Sequence, residues 1–338
     1  MPAEWAEHEA TWISWPHNVD TWPERRLAAV EEVMAEAVRL LSGGEKVYIN
    51  VLNEAHEEQV RSLVKAGGDA VRYFHIPTND AWCRDHGPTF VLRMGRRGKI
   101  QRVAIDWTYN GWGEKYPPFG SDARAAGSMA SAIHTPRVKT SLVAEGGALE
   151  VNGGTVLLTT ASCLLNPNRN PGWTKEEVEN VLRPVLGVSE IIWLEGDLVG
   201  DDTDGHIDNM ARFVNENTIL AASADNAVAS PRKTLREQLE AVEEVDLRIV
   251  DLPVPSPIIE DGKQLPGSYA NFYIGNEVVL VPAFDDPMDD RALQLLNSFF
   301  PGRSIVGLPA RDVVWGLGSF HCLTQQVPSA SSELARES

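Results

Sequence analysis

Cys322 stands in Gly318-Ser319-Phe320-His321-Cys322-Leu323-Thr324-Gln325-Gln326 and is one of only three cysteines in the chain. A sparse cysteine where a strand leaves a glycine-containing loop is a candidate nucleophile, provided that a histidine and carboxylates can be brought to it. The chain offers both. Asp204-Gly205-His206-Ile207-Asp208 places a histidine two residues from a carboxylate. In an extended strand those two side chains share a face while Ile207 points to the core. Asn79-Asp80-Ala81-Trp82-Cys83-Arg84-Asp85-His86-Gly87-Pro88 concentrates polar groups ahead of an apolar run, as a loop opening onto a site would, and Glu145 precedes Gly146-Gly147.

Each of these residues also has a plainer reading. Asp80 and Arg84 could form an ion pair that fixes their loop. Trp82 suits a core, or the stacking of a planar cation beside acidic groups. The run Asp201 to Asp208 is rich in metal-ligand types, but an EF-hand frame with Gly205 sixth puts Gly200 first and Ala211 twelfth. A zinc site would want more His or Cys nearby. No metal and no cofactor is therefore expected. Cys83 is the rival nucleophile, although cysteine often serves as a small buried hydrophobe. Cys163, after Thr159-Thr160, is read as structural. His321 is expected to face away from Cys322, because neighbours in a strand alternate.

The elements that must position these groups repeat along the chain as strand, turn, strand, helix, strand. Thr89 to Met94 and Ile100 to Trp107 flank a basic turn containing Gly95 and Gly98, followed by a helix near Ser121 to Ile133 and a segment Arg137 to Leu142. The unit recurs as Gly147 to Val151, Thr155 to Thr160, a helix Thr174 to Leu186 and Ser189 to Leu194. A third copy comprises Ile207 to Val214, Thr218 to Ala222, a helix near Pro231 to Val242 and Asp246 to Leu252. A fourth comprises Tyr269 to Ile274, Glu277 to Pro282, a helix Pro287 to Phe300 and Ser304 to Gly307. Asn152-Gly153-Gly154, Asn215-Glu216-Asn217 and Gly275-Asn276 suit hairpin turns, and Thr174 with Glu177 forms a capping box.

First strands begin near residues 89, 146, 207, 269 and 320, spacings of 57, 61, 62 and 51. The fifth copy takes Phe320 to Gln326 from one end of the chain and Thr11 to Trp15, helix Pro23 to Leu41 and Lys46 to Leu52 from the other. The expected fold is a pseudo-fivefold α/β propeller of strand-strand-helix-strand modules, one domain over residues 1–338 whose two ends close the ring. The Pro-rich stretch Leu252 to Pro257 is a loop between copies. With the first strands innermost, Asp85, Glu145, His206, Asp208 and Cys322 would converge on a central cavity.

A formal net charge of −18 over 338 residues disfavours nucleic acid and anionic membrane surfaces as partners, and suits a small cationic ligand as well as plain solubility. No apolar run approaches the roughly 20 residues of a membrane-spanning helix. Met1 to His8 lacks the basic-then-apolar pattern of a secretory signal. Three cysteines without paired spacing argue for a reducing cytoplasm. Oligomeric state is left open, with a homodimer among the options.

Met1-Pro2-Ala3-Glu4-Trp5, the Asp80 to Pro88 segment, Tyr109-Asn110-Gly111-Trp112-Gly113, Glu145-Gly146-Gly147, Asp204 to Asp208 and His321 to Gln326 together resemble the agmatine deiminases and, more broadly, the bacterial peptidylarginine-deiminase-type branch of the guanidino-modifying superfamily. The resemblance runs in family order from the first residues to Pro328. It implies a fivefold α/β propeller with a central active site. It also implies Cys322 as nucleophile, His206 as general acid/base and Asp85 and Asp208 as guanidinium-binding carboxylates. Trp82 would be an aromatic residue lining the site, and Glu145 a further acidic residue there. Family members often carry an almost unbroken glycine run before the cysteine, where this chain has Trp315-Gly316-Leu317-Gly318-Ser319-Phe320. The implied reaction is hydrolysis of agmatine to N-carbamoylputrescine and ammonia. Another guanidine (arginine, peptidyl arginine or a guanidino acid) or amidino transfer to an amine are the alternatives.

Overall fold

A hairpin followed by a helical crossover to a parallel strand recurs through the computed structural model, which describes residues 1–65, 68–95, 98–196, 198–222 and 235–330. In the first such unit Thr89–Met94 pairs antiparallel with Ile100–Thr108, and helix Asp122–Ala132 leads to the parallel strand Arg137–Val143. The second comprises Glu150–Val151, Val156–Thr160, helix Lys175–Leu186 and Glu190–Leu194. The third comprises Ala211–Asn215, Thr218–Ala222, helix Leu235–Glu240 and Arg248–Leu252. The first residues of the helix expected there, 231–234, lie outside the described residues. The fourth comprises Tyr273–Ile274, Val278–Ala283, helix Asp289–Phe299 and Ser304–Pro309.

The two ends of the chain make the remaining unit. Thr324–Pro328 pairs antiparallel with His8–Ser14, and helix Glu24–Leu41 crosses to the parallel strand Lys46–Val51. Here a further helix, Glu54–Val64, adds a fourth strand, Val71–His75, which the repeat did not anticipate. A two-stranded ribbon, Ile258–Glu260 with Lys263–Leu265, follows the Pro-rich loop. The result is a mixed α/β fold.

Local chemistry accounts for these elements. In Lys175–Leu186 the buried residues Val178, Leu182 and Leu186 recur every four positions, so one stripe faces the sheet. Thr174 Oγ1 accepts from the Glu177 backbone N–H at 3.3 Å while the Glu177 carboxylate accepts from the Thr174 N–H at 2.8 Å, which completes the capping box. Gly187, at φ 74°, ends the helix in the left-handed conformation that glycine adopts without a Cβ clash. Central strands such as Val156–Thr160 are buried throughout, as expected where both sheet faces are covered.

One expectation is corrected. The segments that begin each repeat are not strands where the polar residues fall. They are short helical turns, Cys83–His86, Gly146–Ala148, Ile207–Asn209, Tyr269–Asn271 and Phe320–Leu323, and the strands start only afterwards. Side-chain to backbone hydrogen bonds hold some of these turns: Ser268 Oγ accepts from Ala270 N at 3.2 Å, and Thr324 Oγ1 donates to Phe320 O at 2.8 Å. The turns touch in order: the Cys83 turn meets the Gly146 turn, then Ile207, Tyr269 and Phe320 follow, and the Phe320 turn packs against the Cys83 turn.

Candidate active site

These contacting turns carry the candidate residues. Cys322 lies in its turn with Sγ 3.3 Å from Asp208 Oδ2, to which the thiol donates, and 3.0 Å from Asn271 Nδ2, from which the sulfur accepts. Asp208 Oδ2 also accepts from His321 Nδ1 at 2.7 Å, while Asp208 Oδ1 is buried with no hydrogen-bond partner among the described residues. Asp85 accepts from the Gly147 N–H (3.1 Å) and from Trp112 Nε1 (2.9 Å). His206 is wholly buried. Its Nδ1 faces Asp85 Oδ1 at 3.8 Å and its Nε2 faces Glu145 Oε2 at 3.5 Å, yet neither nitrogen completes a hydrogen bond among the described residues.

Gly147 shows how tightly these groups converge. A Cβ built there would stand 2.5 Å from His206 Nδ1, 3.0 Å from Asp85 Oδ1 and 3.1 Å from Asp208 Oδ2. Any side chain at this position would collide with three of the candidate groups, so its backbone forms one wall of the cluster. Cys322, His206, Asp85 and Asp208 are therefore neighbours, although Cys322 lies 114 to 237 residues from the others in sequence.

The electrostatics divide the groups into an acid and a poised thiol. Burial disfavours a charged ring at His206, but Asp85, then Cys163 and Glu145, outweigh it and hold its pKa well above the ordinary histidine value. Burial, reinforced by the Asp208 and Glu145 charges, pushes the Asp85 carboxyl up to about 6 against the pull of His206. Burial would also raise Asp208, but the hydrogen bond and charge of His321 keep it below the usual carboxylate range. Burial and then the Asp208 and Asp85 charges drive the Cys322 thiol well above its normal value, with Asn271 opposing. The uncharged thiol and the cationic imidazole are therefore the favoured forms.

His321 does not turn away from Cys322. Successive side chains in a helical turn are about 100° apart rather than 180°, so both His321 and Cys322 reach Asp208. The other ring nitrogen of His321 faces Glu4 Oε2 at 2.9 Å. Glu4 also accepts from Arg84 (3.2 Å) and Arg212 (2.9 Å), and Arg212 pairs with Glu150 at 3.0 Å. A buried charge network anchored by the N-terminal segment thus backs Asp208. Arg84 serves this network rather than pairing with Asp80, whose carboxylate accepts from Asn18 at 3.2 Å and from Thr21.

Glu145 lies behind His206 and is fully buried, with Arg169 Nε donating to it at 2.8 Å and Cys163 Sγ at 3.7 Å. Burial notwithstanding, His206 and Arg169 keep its pKa low. Trp82 is buried against Trp22, ring centroids 5.2 Å apart. A Cβ at Gly318 would meet its ring at 2.6 Å and Cys322 Cβ at 3.2 Å, and one at Gly316 would meet the same ring at 2.8 Å. The glycines of this loop stand where Trp82 leaves no room. Leu317 between them takes φ 72°, a left-handed conformation costly for a side chain with a Cβ.

Cys83 sits in a core cluster with Trp12, Phe90 and Met129, and burial pushes its thiol up to about 12. All three cysteines are unpaired and buried. Sequence reasoning gave no role to Asn271, Trp112, Arg169 or Gly147. Trp112 left a trace within its motif, because four successive residues, Gly111 to Glu114, have positive φ and together aim the indole at Asp85. No helix among the described residues is long and apolar enough to cross a membrane.

A relative from Pectobacterium atrosepticum, named provisionally as an agmatine deiminase, is 36% identical over 98% of this chain and 95% of its own. A Campylobacter jejuni agmatine deiminase, solved as a cysteine-to-serine variant with substrate bound, superposes with a TM-score of 0.86 at 30% identity, over 97% of this chain and 96% of that one. The agmatine deiminase of Enterococcus faecalis gives 0.88 at 28% identity, covering 98% and 96%. Residues 1–328 match the profile of one family from end to end, and the chain belongs to that family, the Porphyromonas-type peptidyl-arginine deiminases.

Proposed function

We propose that this protein hydrolyses agmatine to N-carbamoylputrescine and ammonia through a covalent intermediate on Cys322. The observation that carries the proposal is the convergence of Cys322 Sγ, the open Asp208 Oδ1, Asp85 and the unpartnered His206 ring around Gly147. That is an anionic cluster able to receive a planar cation. Agmatine in particular is supported by the names of near-full-length relatives and of superposable structures. The cyclic contacts of the five turns support a pseudo-fivefold propeller forming one domain.

A guanidinium is delocalised and charged, so its central carbon is a poor electrophile. Asp85 and Asp208 would accept its N–H groups, fix its plane and localise the charge on nitrogen. Entry of the cation also offsets the two carboxylates that make a thiolate costly, so the Cys322 proton leaves to solvent as the site fills. The sulfur then bonds to the central carbon. His206, resting as the imidazolium, protonates the departing nitrogen, and the C–N bond breaks to release ammonia. A water loses a proton to His206 and attacks the thiouronium carbon. The C–S bond breaks, the hydroxyl proton of the intermediate passes to solvent, and the neutral ureido product leaves with the thiolate restored. Glu145 acts through His206, holding it charged and oriented, and Trp82 lines the site beside the nucleophile.

The test is ammonia release from agmatine with no amine acceptor present, together with two variants. Cys322→Ser should lower kcat by at least about 10³-fold, whereas Cys83→Ser, facing the core, should leave it within about threefold. Ammonia release that requires an added amine would assign the site to amidino transfer instead.

A further inference from the structure

Cys163, read as structural from the sequence, closes on the same point as His206 and Glu145. His206 Nε2 stands 3.5 Å from Glu145 Oε2 and completes no hydrogen bond among the described residues, while Cys163 Sγ donates to that same oxygen at 3.7 Å. The imidazole nitrogen, the sulfur and a Glu145 oxygen lie within 4.8 Å of one another, and all three residues are wholly buried. A zinc ion takes sulfur at about 2.3 Å and nitrogen or oxygen at about 2.0–2.2 Å, and tetrahedral angles then set the ligand atoms roughly 3.3–3.6 Å apart. The observed separations are close to these, so small side-chain shifts would let the three share one ion. The groups behind them also suit a metal site. Asp85 Oδ1 faces the other imidazole nitrogen, Nδ1, at 3.8 Å, and Arg169 Nε holds the other Glu145 oxygen at 2.8 Å. Ser162, next to Cys163, is exposed, so solvent lies one residue from the site.

We propose that Cys163, His206 and Glu145 form an inhibitory site for a divalent cation of the zinc class, held by thiolate sulfur, imidazole Nε2 and a carboxylate oxygen and separate from the nucleophile. Thiolate with imidazole selects zinc over calcium and magnesium, which take oxygen ligands. The exchange balances without any redox step. The ion displaces the thiol proton of Cys163 and the Nε2 proton of the His206 imidazolium, and both pass to solvent. Two positive charges enter as two leave, so the buried cluster keeps its net charge. A ring bound through Nε2 retains one proton, on Nδ1, and losing it would leave an imidazolate. His206 therefore stops delivering a proton to the departing nitrogen. The inhibition rests on His206 being the general acid, whereas the binding does not.

Co²⁺ is the binding probe, because its near-ultraviolet charge-transfer band reports a coordinated thiolate. In Cys322→Ser the band should appear with one Co²⁺ per chain and be displaced by Zn²⁺. Adding Cys163→Ser to that background should abolish it, with far-UV circular dichroism as the check on folding. Cys163→Ala takes its place if the serine variant does not fold. In the otherwise unaltered protein, saturating Zn²⁺ should lower kcat for agmatine at least about 100-fold, reversibly with EDTA. Whatever turnover Cys163→Ser retains should lose its sensitivity to Zn²⁺. A band that needs Cys322 rather than Cys163 would place the metal on the nucleophile, and the absence of any band in Cys322→Ser would leave Cys163 without a ligand. Either result overturns the proposal. Metal bound through Cys163 with undiminished turnover would overturn the inhibition, and with it the reading of His206 as the general acid.

Discussion

Asp85 and Asp208 are the same residue type in one cluster, yet their partners separate their proton affinities. His321 keeps Asp208 ionised, whereas Asp85 is pushed up to about 6. A raised carboxyl pKa means that the charge needed to pair with a guanidinium is present above pH 6 and is lost as the pH falls through it. The profile of kcat/KM, which reports the free enzyme, should therefore show an acid limb with a midpoint near 6. A limb at about 4, the ordinary aspartate value, would show that Asp85 is not held in this way. The convergence of Cys322, His206, Asp85 and Asp208 was legible in the sequence because each stands at or just before the start of a repeat. Asn271 was not legible, because an asparagine in Ser268-Tyr269-Ala270-Asn271 looks like any turn residue until the chain brings it to the sulfur. Glu145 was recognised as a site residue, but its commitment to Arg169 and His206 comes from side chains with no sequence proximity.

The longer elements announce themselves, and the short turns do not. Helix Lys175–Leu186 has a four-residue apolar spacing, a capping box and a glycine stop, all readable before folding. The expected helices at 121–133 and 287–300 correspond to Asp122–Ala132 and Asp289–Phe299. A one-turn helix such as Phe320–Leu323 has no period to detect and is set by tertiary packing, so its sequence reads as the start of a strand and His321 as facing away from Cys322. Because the Thr174 cap is exposed and remote from the candidate residues, its energetics should be separable from catalysis. Thr174→Ala should cost about 1 kcal/mol of stability, read from the urea midpoint, with kcat/KM unchanged. A loss of activity at unchanged stability would contradict this separation.

At the scale of the whole molecule, repetition does the positioning. Five turns in cyclic contact bring distant residues to one place, and the two chain ends pair through His8–Ser14 and Thr324–Pro328. The regular spacing of the repeats made this arrangement visible in the sequence. The buried network of Glu4, Arg84, Arg212, Glu150 and His321 was not visible, because its members come from separate units and pair only once those units pack. A formal charge of −18 surrounds the site with a field that favours cations, and so a substrate that keeps its positive charge at both ends. A deiminase of agmatine is tested most directly by comparing ureido product from agmatine, free arginine and a blocked arginine peptide side by side. The predicted result is kcat/KM at least about tenfold higher for agmatine than for either other guanidine, with one ammonia per ureido group formed. Turnover of arginine or the peptide with none of agmatine would contradict it.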